Sequence, residues 1–366
     1  MNADKHNPRS DSTRIASLDG FRALSIVMVL WDHAQLTNHF PKLPFPWINY
    51  ILDGEMGVRI FFVISGFLIT TLLLQEEKKC GYISLPLFYK RRALRILPVY
   101  WAYILTVVLY AAITGLVIPF WDYFETLTFT TSWFMRHQWI LGHSWSLSIE
   151  EIFYLVWPFA LTRLGPKKRL WFAFAGILLG PILRALNYQY GWRSVTHTVW
   201  VVPDVIMWGC LLALLHNQFS VRLVAIFRRN AWIYHSLIVL VFSGLDWAFN
   251  HRVFGLITVP FAISFHSLAI CYLLYYYSFI SKGLVFKMLN NTWVVALGGI
   301  SYSLYLWQEI FLFPKIQHFF FWQSFPINVL GAVVAAAASY YLLEKPLLKL
   351  RVKLRHPALK SKAAPN

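Results

Sequence analysis

Charge is scarce in this chain. Only 13% of its 366 residues are Asp, Glu, Lys or Arg, against about 25% in an average soluble protein. Acidic residues are the scarcer kind, 16 against 33 Lys and Arg. With 58% hydrophobic residues, the chain holds more apolar surface than a soluble fold hides beneath a polar exterior. A soluble enzyme is therefore excluded. Cysteine is nearly absent, and Cys80, Cys210 and Cys271 show no C-x-x-C spacing, so neither a zinc ribbon nor a disulfide framework is expected. Strict period-2 alternation is missing, which excludes a membrane barrel. No A-x-A site closes the first apolar run, so Met1 to Arg14 is not expected to be a cleaved leader. An internal repeat is also missing, which weakens an inverted-repeat transporter.

What the chain does have is long apolar runs. Ten of them, each near the ~20 residues that cross a bilayer as a helix, lie at about 20–40, 57–75, 96–119, 145–162, 170–190, 199–216, 231–249, 254–277, 293–313 and 327–344. The expected fold is an all-α, polytopic membrane bundle. A polar N-terminal tail (1–14), one membrane domain (15–350) and a basic C-terminal tail (351–366) complete it. The 17 Trp, 19 Tyr and 30 Phe suit two interfacial aromatic belts. With the N-terminus placed in the cytoplasm, 25 of the 33 Lys and Arg fall on the inner side. Six (Lys42, Arg136, Arg184, Arg193, Arg252 and Lys315) fall outside, as the positive-inside rule requires. Ten spans put both termini inside. The basicity is then topological, and no nucleic-acid partner is expected.

Ionisable side chains within spans mark functional sites, because burying them is costly. The first run carries Asp19, Arg22, Asp32 and His33. Arg22 and His33 are 11 residues apart, which on a helix is three turns plus about 20°, or about 16 Å along one face. This places Arg22 at the cytoplasmic rim and His33 near the bilayer middle. An arginine there can hold a phosphate, or can simply reach to the interface; the histidine can act as a base, pack or relay protons. Arg92 and Arg95, in FYKRRALRILPVYW, share a face if that inner loop is already helical. They suit a di- or triphosphate group, or else anionic lipid. Glu150 and Glu151 sit one to two turns below the outer end of the fourth run, with Tyr154 on the Glu150 face. A structural ion pair, for instance with Arg59 or Arg184, is the plain alternative. Ser65-Gly66 and Gln308-Glu309 read first as packing elements. Glu344 has the Arg92/Arg95 pair or Lys345 as candidate partners. His137 and His143 belong to an aromatic outer loop, a lid or merely part of the belt, and no metal site is expected.

Six stretches stand in order: LDGFRA followed by His33, GVRIFFVISGFLI, RRALRILPVYW, WSLSIEEIFYLVWP, SYSLYLW and LLEKPLLKLR. Together they resemble the acyltransferase-3 family of integral membrane O-acyltransferases. The resemblance implies a ten-helix core in a bacterial inner membrane. It implies transfer of an acyl group, usually acetyl, from cytosolic acyl-CoA to a hydroxyl of an extracytoplasmic or lipid-linked glycan. Acyl-CoA is then a donor substrate, with no permanently bound cofactor. Arg22 and His33 match the family's Arg-x10-His motif, with His33 catalytic as a general base or as a covalent acyl carrier. Arg92 and Arg95 match its RxxR motif, a CoA-phosphate contact. Glu150 matches the first Glu of its outer motif and joins the catalytic set, while Asp19, Glu151, Tyr154 and Tyr302 are supporting or acceptor-side candidates. Gln308 stands where many relatives have His, so proton transfer is not expected there. A second acyl-handling step is expected to fall to a separate periplasmic protein. The competing class is a glycan exporter that uses the same polar residues as a pathway.

The topology is testable. Reporter fusions after Leu116, Asn187 and Asn250 are expected on the outside, and fusions at Lys79, Lys167 and Arg228 in the cytoplasm. A reversed pattern around residues 76–95 would remove the basis for a cytoplasmic donor.

Overall fold

Short polar and glycine signals set the helix ends of this apolar chain. In the computed structural model, which describes residues 15–42, 44, 48–49, 52–134, 137–189, 202–251, 253–314 and 320–353, helix α1 spans Ala16–Gln35. Asp19 lies in its first turn, at the helix-dipole end that suits a negative charge, and His33 in its last. Helix α2 (Gly54–Cys80) begins on Asp53, whose carboxylate accepts from the Glu55 and Met56 amides at 3.0 and 3.2 Å. It ends on Gly81 at φ 82°, a left-handed cap that glycine adopts without a Cβ penalty. Helix α3 (Leu85–Thr114) carries a proline in its opening turn and stops at Gly115. The remaining long helices are α4 (Ser144–Arg163), α5 (Pro166–Gln189), α6 (Pro203–Arg229), α7 (Ala231–Asn250), α8 (Gly255–Tyr275), α9 (Thr292–Phe311) and α10 (Ile327–Ser339). A π turn follows α8 and another follows α10. Expectations for residues 1–14 and 354–366, and for Arg136, Arg193, Arg252 and Lys315, lie outside the described residues.

Among the described residues there is no strand. Of the described helices, six are long and apolar enough to cross a membrane: α2, α3, α5, α6, α8 with its π turn, and α10 with the segment after it. The predicted runs over α1, α4, α7 and α9 are helical as well. Of these, α1, α4 and α9 carry the candidate ionisable residues, which lower their mean hydropathy. Two boundaries differ in an informative way. The run predicted from 96 begins at Leu85, because the basic FYKRRALR segment is already helix. The run predicted to end at 216 continues to Arg229 beyond a bend at Phe219, where φ is −133°.

The bundle is dressed for lipid rather than water. Helix α3 turns Trp101, Leu105, Val108, Leu109 and Ile113 outward, a continuous apolar stripe that a soluble protein rarely shows. Inside, α1 lies between α2 and α9, and α2 lies against α6. Bare backbone permits these crossings. A Cβ on Gly66 would strike the Ile206 carbonyl, and one on Gly209 the Val63 carbonyl. At the other crossing, a Cβ on Gly298 of α9 would strike the Asp19 carbonyl of α1. Small residues of this kind let lipid-embedded helices approach closely.

Arg184, counted among the outer charges, is buried inside the bundle. Its guanidinium donates to both Asp204 oxygens at 2.9 Å and to Ser264 Oγ at 2.8 Å. The pair joins α5, α6 and α8, and only such bidentate matching makes a charge tolerable at this depth.

Gly209→Ala is expected to lower the thermal midpoint in detergent, equivalent to about 1–3 kcal/mol of overpacking. Gly244→Ala on α7, which has open space at its Cβ, is expected to leave the midpoint unchanged. Equal midpoints for both variants would rule out the close crossing.

Candidate active site

Charges drawn into an apolar bundle gather where several helices supply partners. Helix α1 contributes Arg22, and α3 contributes Arg92 and Arg95 from one face. The three guanidinium groups line a single cavity of about 730 Å³ of empty space, its open mouth included. Helix α4 adds Glu150, α2 adds Ser65, and α9 adds Tyr302 and Tyr305. The spacing argument for the arginines thus holds: the segment is helical, and both point to the same space.

Glu150 is the polar hub of this cavity. Ser65 Oγ donates to Oε1 at 2.5 Å, and Tyr154 OH donates to Oε2 at 3.0 Å. Arg92 Nη2 lies 3.8 Å from Oε2, and its guanidinium carbon sits 3.6 Å above the Tyr154 ring centroid. Tyr154 is therefore on the Glu150 face, as the spacing requires. The alternative partners are overturned. Arg59 pairs with Glu55 at 2.7 Å and meets His266 Nδ1 at 3.2 Å, while Arg184 is held by Asp204. Asp19 pairs with Arg22 at 3.2 Å. Tyr302 lines the cavity and donates its hydroxyl to the Ile96 carbonyl at 3.0 Å. The Glu151 Oε1 is buried without a hydrogen-bond partner. Glu344 accepts from Ser303 Oγ at 3.0 Å. Ser65 and Gly66, read together as packing residues, divide the work: Gly66 faces α6, and Ser65 faces the carboxylate.

His33 is elsewhere. It falls in the last turn of α1. It is also absent from the cavity lining. Its Nδ1 lies 3.7 Å from Glu309 Oε1, and His143 Nδ1 lies 3.6 Å from Glu309 Oε2. Glu309 is 3% exposed and Gln308 0%. The edge of Trp139 closes on the His33 ring at a centroid distance of 5.0 Å. One buried carboxylate is thus shared by two imidazoles. The structure places Glu150 with the arginines, and it places Glu309 and His143 with His33. Among the described residues no three His, Cys, Asp or Glu side chains are arranged to hold a metal ion.

Sequence reasoning passed over Glu309 and His143. Glu309 was within reach, because a carboxylate near the end of an apolar helix needs a partner as much as Glu150 does. His143 was not, because its partner is far along the chain. The other loop histidine has a different role: His137 Nδ1 lies 3.3 Å from Glu125 Oε2, and its Nε2 meets the Thr131 and Phe134 carbonyls at 3.1 and 3.2 Å. That ring ties the outer loop together.

Tyr305 separates and connects the two groups. It lines the arginine cavity, shares a 2.7 Å hydrogen bond with Ser146 Oγ, and donates to the His143 carbonyl at 3.0 Å. Its ring centroid is 5.4 Å from that of His143. A basic cavity at one end and a histidine–carboxylate cluster at the other are thus one residue apart. Such an arrangement can hold a phosphorylated carrier on one side and move a proton on the other.

Comparison with known proteins shows the family. A family model described as "Acyltransferase domain" matches residues 15–344. The O-acetyltransferase OatA of Staphylococcus aureus is 27% identical over 92% of this chain and 57% of its own length. The peptidoglycan O-acetyltransferase OatA of Listeria monocytogenes is 33% identical over 42% of this chain and 25% of its own. The chain thus spans little more than half the length of the staphylococcal relative. No solved structure matches. A family match that runs through all ten long helices, from the start of α1 to the turn after α10, means that this chain belongs to the acyltransferase-3 family.

Proposed function

We propose that this protein is a membrane O-acyltransferase that moves an acyl group, with acetyl favoured, from cytosolic acyl-CoA to a hydroxyl of an extracytoplasmic or lipid-linked glycan. The observation that carries the reading is the convergence of Arg22, Arg92 and Arg95 on one cavity whose Tyr305 wall backs onto His33, Glu309 and His143. The printed names of the staphylococcal and listerial relatives support an acetyl donor and a glycan acceptor. The proposal includes ten spans, cytoplasmic termini and the bacterial inner membrane. It treats acyl-CoA as a substrate rather than a resident cofactor.

Guanidinium groups at the cytoplasmic rim hold the CoA phosphates through charge-assisted, bidentate hydrogen bonds. Arg92 is stacked on Tyr154, which fixes its plane before the donor arrives. The pantetheine arm is about as long as the ~16 Å between Arg22 and His33, so the thioester travels past Tyr305 toward the histidine. Glu309 at Nδ1 of His33 leaves Nε2 to act as base. His33 takes the acceptor's hydroxyl proton as its oxygen attacks the thioester carbonyl. A C–O bond forms, the C–S bond breaks, and the proton passes from His33 to the leaving thiolate, giving free CoA. The glycan-exporter reading has no use for a phosphate site at the cytoplasmic rim, and no observation favours it.

His33→Ala is expected to abolish acetyl transfer from acetyl-CoA to envelope glycan in native membrane vesicles, with expression and CoA binding intact. A variant retaining more than about a tenth of the wild-type rate would be incompatible with a base worth ~10²–10⁴-fold.

Arg92→Ala and Arg95→Ala each remove a charge-assisted hydrogen bond worth roughly 1.5–3 kcal/mol. Donor KM is then expected to rise about 10- to 150-fold, provided that KM follows binding. Arg→Lys is expected to recover only part of the loss, because an ammonium lacks the planar fork. Acetyl-CoA titration of the inserted lysine variants is the check, and wild-type affinity in both would leave the phosphate site unsupported.

A further inference from the structure

His143 has a burial pattern that the reaction outlined above does not use. Its side chain is 1% exposed, and neither ring nitrogen has a hydrogen-bond partner. Glu309 Oε2, the atom that its Nδ1 faces at 3.6 Å, is likewise buried without one. Leaving both sides of such a pair unmade costs more than the bond itself is worth. Hydrogen bonds in catalytic clusters are often long before substrate binds and tighten in the complex. The geometry points to His143 as the positioning residue of the transfer centre: its Nδ1–H holds Glu309 Oε2, so that Oε1 is turned toward Nδ1 of His33. This inference rests on the proposed role of His33 as base.

The groups around the cluster leave His143 to this task. Tyr103 and Tyr305 flank its ring at centroid distances of 5.3 and 5.4 Å. Their hydroxyls are already committed, Tyr103 to the Ile140 carbonyl at 2.5 Å and Tyr305 to the His143 carbonyl at 3.0 Å. Neither competes for Glu309. A carboxylate with two oxygens and two imidazole donors is fully used, one oxygen to each ring. Anchoring Oε2 removes the freedom of the carboxylate to turn away from His33. It also selects the His33 tautomer that carries its proton on Nδ1 and keeps Nε2 open as the base. During transfer His33 gains the acceptor proton on Nε2 and passes it to the thiolate, while the His143 proton stays on Nδ1 throughout. His143 touches neither donor nor acceptor in this account.

Side-chain shape offers the test. The Nδ2 of asparagine occupies nearly the same place as the Nδ1 of histidine, whereas phenylalanine keeps the ring and removes the donor. Acetyl transfer from acetyl-CoA to envelope glycan would be measured in native membrane vesicles for His143→Asn, His143→Phe, Glu309→Gln, the His143→Phe/Glu309→Gln double variant and His33→Ala. His143→Asn is expected to stay within about threefold of the wild-type kcat. His143→Phe is expected to lose about 10- to 100-fold, as a base loses part of its ~10²–10⁴-fold effect when its orientation is lost. Donor KM is expected to stay near the wild-type value in both. The double variant is expected to be no slower than Glu309→Gln, because both changes break one chain of contacts. His143→Leu serves as the second apolar variant if the phenylalanine fails to insert. A packing role gives the reverse order, with Phe matching or outperforming Asn, and that order overturns the inference, as do multiplicative losses in the double variant. An inactive His33→Ala beside a fully active His143→Phe sinks only the positioning role. An active His33→Ala sinks the base itself.

Discussion

A charged side chain withdrawn from water into an apolar bundle must be met by a partner, and in this protein that requirement organises the interior. Arg184 meets Asp204 and Ser264 between α5, α6 and α8. Arg92 meets Glu150 and Tyr154 between α3 and α4. His33 and His143 meet Glu309 across α1, the start of α4 and α9. Each match is made between helices distant in sequence, so each also fixes how those helices stand to one another. The glycine crossings supply the complementary condition: Gly298 lets α9 approach α1 closely enough for Glu309 and His33 to share one region.

The two polar centres differ in what remains unsatisfied. Around Glu150 the hydrogen bonds are made, with Ser65 and Tyr154 both donating, so the arginine cavity is held in shape before anything enters it. Around Glu309 the contacts are long, and several buried atoms have no partner. Preformed rigidity suits a site that recognises a fixed group such as a phosphate. Unfulfilled hydrogen bonds suit a site where protons move and bonds tighten along the reaction. Tyr305 lies at the boundary and belongs to both.

Much of the architecture was legible in the order of residues. Among the described residues all ten apolar runs are helical, as backbone in apolar surroundings must satisfy its own hydrogen bonds. The arginine face was legible too, since Arg92 and Arg95 obey helical spacing once the basic segment is recognised as helix. Misreadings arose where a residue was judged by its neighbours in sequence. Arg184 was counted with the outer charges because it lies near the end of an apolar run, yet the bundle closes around it. Glu150 was offered Arg59 and Arg184 on grounds of depth alone, whereas Arg92 of α3 reaches it.

Periodicity and apolar length act over a few turns of chain, so they carry the helices, the shared face of Arg92 and Arg95 and the separation of Arg22 from His33. Which carboxylate serves which cation depends on contacts between helices far apart in sequence, where spacing holds no information. Glu309 and His143 stand 166 residues apart and meet only after α4 and α9 pack. Local pattern therefore located the ingredients, and the packing of the bundle assigned the pairs, because side-chain electrostatics at 3–4 Å are a property of three-dimensional distance alone.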